Sequence, residues 1–159
     1  MYSIKTLLFR NICVVISLLA TVSCKTTTRI QLKNATLYRI EVERNEHLKE
    51  FNGHRVIDGP KELSKKSLQT IAELLNEDAA VIADADYDEQ KPCKFEPAIA
   101  LKTATQNYLI SFVCNRLYIY ENSGAYKLYH IDNIRNEILL WAQKEFPKDT
   151  YLELMPYDD

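Results

Sequence analysis

The chain has 159 residues, with 20 lysines and arginines against 22 aspartates and glutamates, so its net charge near neutral pH is −2. This length fits one globular domain with a core of its own. Because acidic residues slightly outnumber basic ones, the chain lacks the strongly basic composition typical of nucleic-acid-binding proteins. We therefore predict no nucleic-acid partner.

The first 24 residues have the pattern of a secretory signal. Lys5 and Arg10 supply a positive start, and an almost wholly apolar run of eleven residues follows from Ile12 to Val22. Eleven residues suit the apolar region of a signal peptide and are too few for a membrane span, which needs roughly 20.

The apolar run ends in small residues and a cysteine. The sequence Ala20-Thr21-Val22-Ser23-Cys24 resembles the lipobox of bacterial lipoprotein precursors, although Thr21 stands where the strongest form has leucine. The resemblance implies cleavage before Cys24, a diacylglycerol group on its thiol and an acyl chain on the new amino group. It implies no other cofactor. The alternatives are an ordinary signal peptide with an incidental cysteine, or an uncleaved anchor.

This interpretation divides the chain into a signal peptide (1–23), a lipidated N-terminus with a polar tether (24–35) and a single domain (36–159). The protein is expected to be held on a bacterial membrane by its lipid. Lys25 is not the aspartate that retains many lipoproteins at the inner membrane, so the outer membrane, facing the periplasm, is favoured.

In this interpretation, two of the four cysteines are not available to form a disulfide. Cys13 is removed with the signal peptide and Cys24 carries lipid, which leaves Cys93 and Cys114. An even pair in an oxidising compartment predicts one disulfide, which would stabilise the domain by roughly 3 kcal/mol. A redox-active pair is not indicated, because there is no Cys-x-x-Cys motif.

The first half of the domain predicts two strands, a helix and a further strand. Alternating apolar residues from Tyr38 to Val42 indicate a half-buried strand, and a short return strand from His54 to Ile57 would end at Asp58-Gly59-Pro60. Ser64 is a candidate N-cap for an amphipathic helix that reaches Leu75. The apolar run from Ala79 to Ala83 indicates another strand.

The second half is mostly strand. A strand starting at Phe95 is expected at a sheet edge or a bulge because it contains Pro97. Alternation predicts a strand up to Cys114, then a turn or a bulge at Asn115-Arg116, then a hairpin over residues 117–130. Asp132 is a candidate cap for a last helix that Pro147 would stop.

This order of elements predicts the α+β class. The simplest architecture is an antiparallel sheet of about five to six strands with two helices packed on one face.

One polar run has acidic residues at the spacing of metal ligands. Asp84, Asp86 and Asp88 alternate like the first half of a calcium-binding loop. The sixth position is Glu89 where glycine is needed, and the twelfth is Phe95 where a bidentate glutamate is needed. We therefore predict no metal site, and these three aspartates are the candidate ligands if calcium binds.

Catalytic patterns are not visible. His47, His54 and His130 have no metal-ligand spacing, no serine has the glycine surroundings of a hydrolase elbow, and three glycines form no phosphate-binding loop. We predict that the protein is not an enzyme.

The strand alternation puts Tyr118 and Tyr120 on one side and Leu117 and Ile119 on the other. If the helices cover one face of the sheet, these tyrosines lie on the other face. Exposed tyrosines are good binding anchors, but tyrosines that merely pack on one another to cover a half-wet face are a common alternative.

Three functions follow as hypotheses. The leading one is a non-enzymatic lipoprotein that binds another component of the envelope. The second is a periplasmic inhibitor or immunity-type protein, whose acidic charge would suit a basic toxin or hydrolase. The third is a small hydrolase whose residues are brought together only by the fold.

Overall fold

The structure is a computed structural model that describes residues 30–77, 81–83 and 92–158. Within these residues the strands are β1 (Thr36–Arg44), β2 (His54–Glu62), β3 (Ile82–Ala83), β4 (Ile99–Lys102), β5 (Gln106–Ser111), β6 (Arg116–Glu121) and β7 (Tyr126–His130). The α-helices are α1 (Lys65–Leu74), α2 (Arg135–Glu145) and α3 (Thr150–Glu153). Short 3-10 helices cover Glu50–Gly53 and Asp132–Ile134.

The strands form one open antiparallel sheet in the order β2-β1-β4-β5-β6-β7-β3. The predicted α+β class is therefore confirmed, but the expectation of five to six strands and two helices is wrong. The strand expected in the run from Ala79 to Ala83 is present as the two-residue edge strand β3, and the additional helix is α3, a single turn too short to show a clear hydrophobic period.

One face of the sheet carries the main core. Alternate strand residues such as Leu37, Ile110 and Leu117 are fully buried there, against Ile71 of α1 and Ile138 of α2. Burial of this kind contributes most of the stability of a small domain. All three α-helices contribute to this cluster, so we call this side the helix face.

The opposite side of the sheet, the reverse face, carries a smaller cluster. Ile40, Ala100 and Leu109 are fully buried on it, and Phe51 reaches it from the 3-10 helix between β1 and β2. The partly buried hydrophobic residues around this cluster are mainly aromatic: Tyr38, Phe95, Tyr118 and Tyr120, with Val56.

Strand β2 continues past the point where the sequence predicted its end. It includes Gly59 and Pro60 and runs to Glu62 along the edge of the sheet, where the register with β1 shifts. Gly59 has a φ of +115°, and a Cβ there would lie 2.9 Å from the carbonyl oxygen of Leu37. An edge strand with an irregular register tolerates proline, which is why this pair does not end it.

The predicted strand beginning at Phe95 was misplaced. Regular structure begins only at Ile99, and β4 is an interior strand between β1 and β5. β5 ends at Ser111, and a turn replaces the expected continuation to Cys114. Asn115, with a φ of 51°, lies in that turn, so the open choice between turn and bulge is decided in favour of a turn.

Both predicted helices are present, with one correction at a helix start. Ser64 caps α1 as expected, because its Oγ accepts a hydrogen bond from the backbone nitrogen of Ser67. Asp132 caps no helix; it opens a 3-10 turn, and its carboxylate accepts a hydrogen bond from the side chain of Asn115.

The packed part of the chain begins upstream of β1. Leu32 and Ala35 are buried in the helix-face core. The Asn76 side chain accepts a hydrogen bond from the backbone nitrogen of Ile30 at 2.7 Å and donates one to its carbonyl oxygen at 2.9 Å. The chain is thus fixed to the domain from Ile30 onward, within the stretch that the sequence assigned to a tether.

Candidate functional site

Three tyrosines form a continuous surface on the reverse face, which we call the tyrosine face: Tyr118, Tyr120 and Tyr126. Their ring centroids lie 5.5 to 5.8 Å apart, and Tyr118 stacks on Tyr120 with an angle of 15° between the rings. Phe95 closes one side, with its centroid 4.2 Å from that of Tyr118. The separations among the three tyrosines are typical of favourable aromatic pairs.

The tyrosine face is partly packed and partly open. Tyr118 and Tyr120 are half-buried, whereas Tyr126 is 60% exposed. The Tyr120 hydroxyl accepts a hydrogen bond of 2.9 Å from the Asn52 side chain. Burial, followed by the neighbouring tyrosines, raises the pKa of Tyr120 above its ordinary value. Its phenol is therefore neutral near pH 7.

The sequence identified Tyr118 and Tyr120 but did not place Tyr126 with them. Tyr126 lies directly opposite Tyr120 in the β6–β7 hairpin, and Leu128 lies opposite Tyr118. The signal was in the turn Asn122-Ser123-Gly124, because a hairpin closed there fixes the cross-strand register. Phe95 could not be found in this way, because its contact with Tyr118 joins residues that are distant in sequence.

Cys93 and Cys114 lie within disulfide distance, with their Cα atoms 5.8 Å apart. The bond joins the turn after β5 to the segment that leads into β4. It holds Phe95, two residues from Cys93, close to the tyrosine face. Its position is that of a structural link.

The candidate calcium ligands Asp84, Asp86 and Asp88 lie outside the described residues, and so does the predicted lipid-attachment residue Cys24. Over residues 30–77, 81–83 and 92–158, no group of three or more His, Cys, Asp or Glu side chains has the geometry to hold a metal ion.

The three histidines lie in different surroundings. His47 is exposed, His130 is buried at the end of β7, and the Nδ1 of buried His54 lies 2.8 Å from the Glu41 carbonyl oxygen. Burial lowers the pKa of His54 below its ordinary value of 6.5.

One polar cluster was not foreseen from the sequence. Ser67 donates a hydrogen bond to the Glu145 carboxylate and accepts one of 2.8 Å from the Trp141 indole, while Lys61 lies 2.7 Å from the second Glu145 oxygen. Since the serine hydroxyl donates to a carboxylate that is itself neutralised by a lysine, the cluster joins β2, α1 and α2 rather than activating a nucleophile.

A pocket of about 590 Å³ opens on the helix face, at the end of the sheet where residues 30–34 join the domain. The turn between β4 and β5 forms one wall, and Tyr108, Ile119 and Tyr129 form the floor. Among the described residues that line it, Lys33 and Lys127 are the charged ones. The sequence did not bring these two lysines together, because one lies before β1 and the other in β7.

No protein-family model, curated protein or solved structure matches the chain. In the part of the chain that the structure describes, no helix is both long enough and apolar enough to cross a membrane.

Proposed function

We propose that the protein is a lipid-anchored lipoprotein of the bacterial envelope, held on the outer membrane and facing the periplasm. It is a binding module rather than an enzyme, and its tyrosine face contacts another protein of the envelope. The anchor follows from the lipobox-like sequence that ends at Cys24.

The observation that carries the binding role is the arrangement of Tyr118, Tyr120 and Tyr126. The helix face is covered by three helices, whereas the reverse face carries stacked tyrosines with Tyr126 60% exposed. A tyrosine that is already held by its neighbours presents a large contact area and loses little side-chain entropy on binding. Residues of this type dominate the energy of many protein interfaces.

The polar groups of the core are paired. Within the described residues, every buried side-chain nitrogen and oxygen has a hydrogen-bond partner. The Ser67–Glu145 contact joins two helices.

The anchor is tested by the mass of the protein purified from membranes. The expected N-terminus is Cys24 carrying a diacylglycerol group and an acyl chain. A Cys24→Ser variant should incorporate no labelled palmitate. A wild-type protein that begins at another residue, or that has no acyl mass, contradicts the anchor.

The binding role is tested by photo-crosslinking in intact cells. A photoreactive amino acid at Tyr126 should give a discrete crosslinked product with one protein. The matched control is the same amino acid at Leu140, which is 46% exposed on α2. Equal products from both positions, or none from Tyr126, would contradict the proposal. A toxin or hydrolase as the product would instead favour the inhibitor hypothesis.

A further inference from the structure

The pocket beside Ile30 has a consistent chemical character. Lys33 and Lys127 line it, and Thr103 and Thr105 add polar groups from the β4–β5 turn; no carboxylate from residues 30–77, 81–83 or 92–158 lines it. Among the described residues neither lysine forms an ion pair with a carboxylate. Two such ammonium groups at one cavity, in a chain of net negative charge, favour an anionic ligand.

The floor of the pocket does not oppose an anion. The buried Tyr108 hydroxyl lies 2.6 Å from the Gln106 Oε1 and 3.1 Å from the carbonyl oxygen of Gln31. Burial, with a smaller effect of the nearby Tyr129, raises the pKa of Tyr108 to about 12. Tyr108 therefore stays neutral and does not bring a negative charge to the site.

The shape of the pocket is fixed by the same contacts that hold the start of the domain. Tyr108 bonds to Gln31, and Asn76 bonds to both backbone groups of Ile30. Thr103 accepts hydrogen bonds from the backbone of its own turn, which sets the opposite wall. A volume of about 590 Å³ is within the usual range for small-ligand sites.

The position of the pocket identifies the source of the anion, given the proposed anchor. Five residues separate Cys24 from Ile30, and six extended residue steps span at most about 20 Å. Ile30 itself lines the pocket. A lipid on Cys24 would therefore keep this site within reach of the headgroups of the bilayer.

We propose that the pocket lined by Lys33 and Lys127 binds the phosphate of an anionic phospholipid headgroup. The inference rests on the proposed lipid anchor for the source of the ligand, while the two lysines carry the preference for an anion. A bound headgroup would fix the orientation of the domain on the membrane, which a lipid chain by itself does not do.

The test uses the lipidated protein purified from membranes, in two measurements. In the first, the protein is placed in phosphatidylcholine vesicles with or without phosphatidylglycerol, and lysine labelling by an amine reagent is measured by mass spectrometry. We expect phosphatidylglycerol to protect Lys33 and Lys127 but not the exposed Lys66 and Lys148. Inorganic phosphate added to phosphatidylcholine vesicles forms the third arm.

In the second measurement, phosphatidylglycerol retention is titrated by native mass spectrometry. The variant Lys33→Gln/Lys127→Gln should lose at least about tenfold in affinity, since each charge-assisted contact contributes more than a neutral one. The control variant Lys66→Gln/Lys148→Gln removes the same charge and should bind like the wild type. Both variants change exposed side chains, and equal melting temperatures would show that both remain folded.

The outcomes separate this proposal from the anchor. Equal binding by the two double variants, or equal labelling of all four lysines, overturns the proposal that this pocket binds a phosphate group. Protection by inorganic phosphate without protection by phosphatidylglycerol overturns the lipid source and retains the phosphate site. A protein without acyl mass on Cys24 contradicts the anchor but leaves the titration of the pocket valid.

Discussion

The buried ion pair between Arg39 and Asp149 gives the sharpest prediction about stability. The Asp149 Oδ2 accepts a hydrogen bond of 2.8 Å from the Arg39 Nε, and its Oδ1 accepts one of 2.9 Å from the backbone nitrogen of Leu152, which caps α3. The guanidinium also donates to the Ala98 carbonyl at 2.9 Å and lies 4.7 Å from the ring centroid of Tyr151. Replacement of Asp149 by alanine removes the cap and leaves the arginine without its counterion.

The expected loss follows from the burial of the two partners. The Arg39 side chain is only 4% exposed and that of Asp149 is 17% exposed. Removal of one partner of a buried pair costs about 3–5 kcal/mol, and loss of an N-cap costs about 1 kcal/mol. Because water reaches Asp149 in part, we expect a total near the lower limit, about 3 kcal/mol. For a domain of this size, that lowers the melting temperature by about 10 °C.

The assay is urea unfolding of the wild type, Asp149→Ala and a control. Glu50→Ala breaks the 3.5 Å pair with Lys102, in which the glutamate side chain is 70% exposed. Glu50→Ala should lower the free energy of unfolding by less than about 1 kcal/mol. The loss of stability for Asp149→Asn should lie between those for Asp149→Ala and Glu50→Ala, because the single side-chain oxygen of asparagine can accept a hydrogen bond from either the Leu152 backbone or Arg39. If Asp149→Ala is no more destabilising than Glu50→Ala, the argument from burial is wrong.

Two further predictions concern the disulfide and acid sensitivity. Loss of the bond that joins Cys93 to Cys114, 21 positions apart, should lower the free energy of unfolding by about 3 kcal/mol; an unchanged urea midpoint after reduction would argue against it. Although burial raises the pKa of Glu145, the hydrogen bonds from Lys61 and Ser67 outweigh it, so the pKa lies below 4.5. The carboxylate therefore stabilises the fold above pH 4.5, and this contribution is lost as the pH falls through the lower folded pKa. Glu145→Gln should remove this part of the pH dependence, which urea titrations above and below pH 4.5 would detect.

Local signals in the sequence predicted the elements whose partners are close along the chain. The alternation of residues 117–121 and the turn at Asn122 were sufficient for the β6–β7 hairpin, because both strands and their connection lie within one segment. Ser64 identified the start of α1 for the same reason, since a cap is satisfied by a residue three positions away.

The elements that were missed depend on pairing across long separations. β4 pairs with β1, and this contact joins Ile99 to Arg39. No periodicity in the segment after Phe95 shows that its continuation lies inside the sheet. Gly59 and Pro60 are turn residues by composition, but the adjacent Leu37 carbonyl and the edge position keep them in a strand. The pocket was missed for the same reason, because only the fold brings Lys33 and Lys127 to the lining of one pocket.

The strand register places the proposed sites relative to one another. The pocket lies at the Gln106 end of β5, and the disulfide lies beyond its Ser111 end, so the length of that strand, about 20 Å, separates them. Gln106 pairs with Glu121, and the adjacent Tyr120 pairs with Tyr126. The exposed part of the tyrosine face and the pocket therefore share the end of the sheet at which Ile30 joins the domain. If Cys24 carries lipid, a protein that binds the tyrosine face must come close to the bilayer surface, which favours a membrane-associated partner over one free in the periplasm.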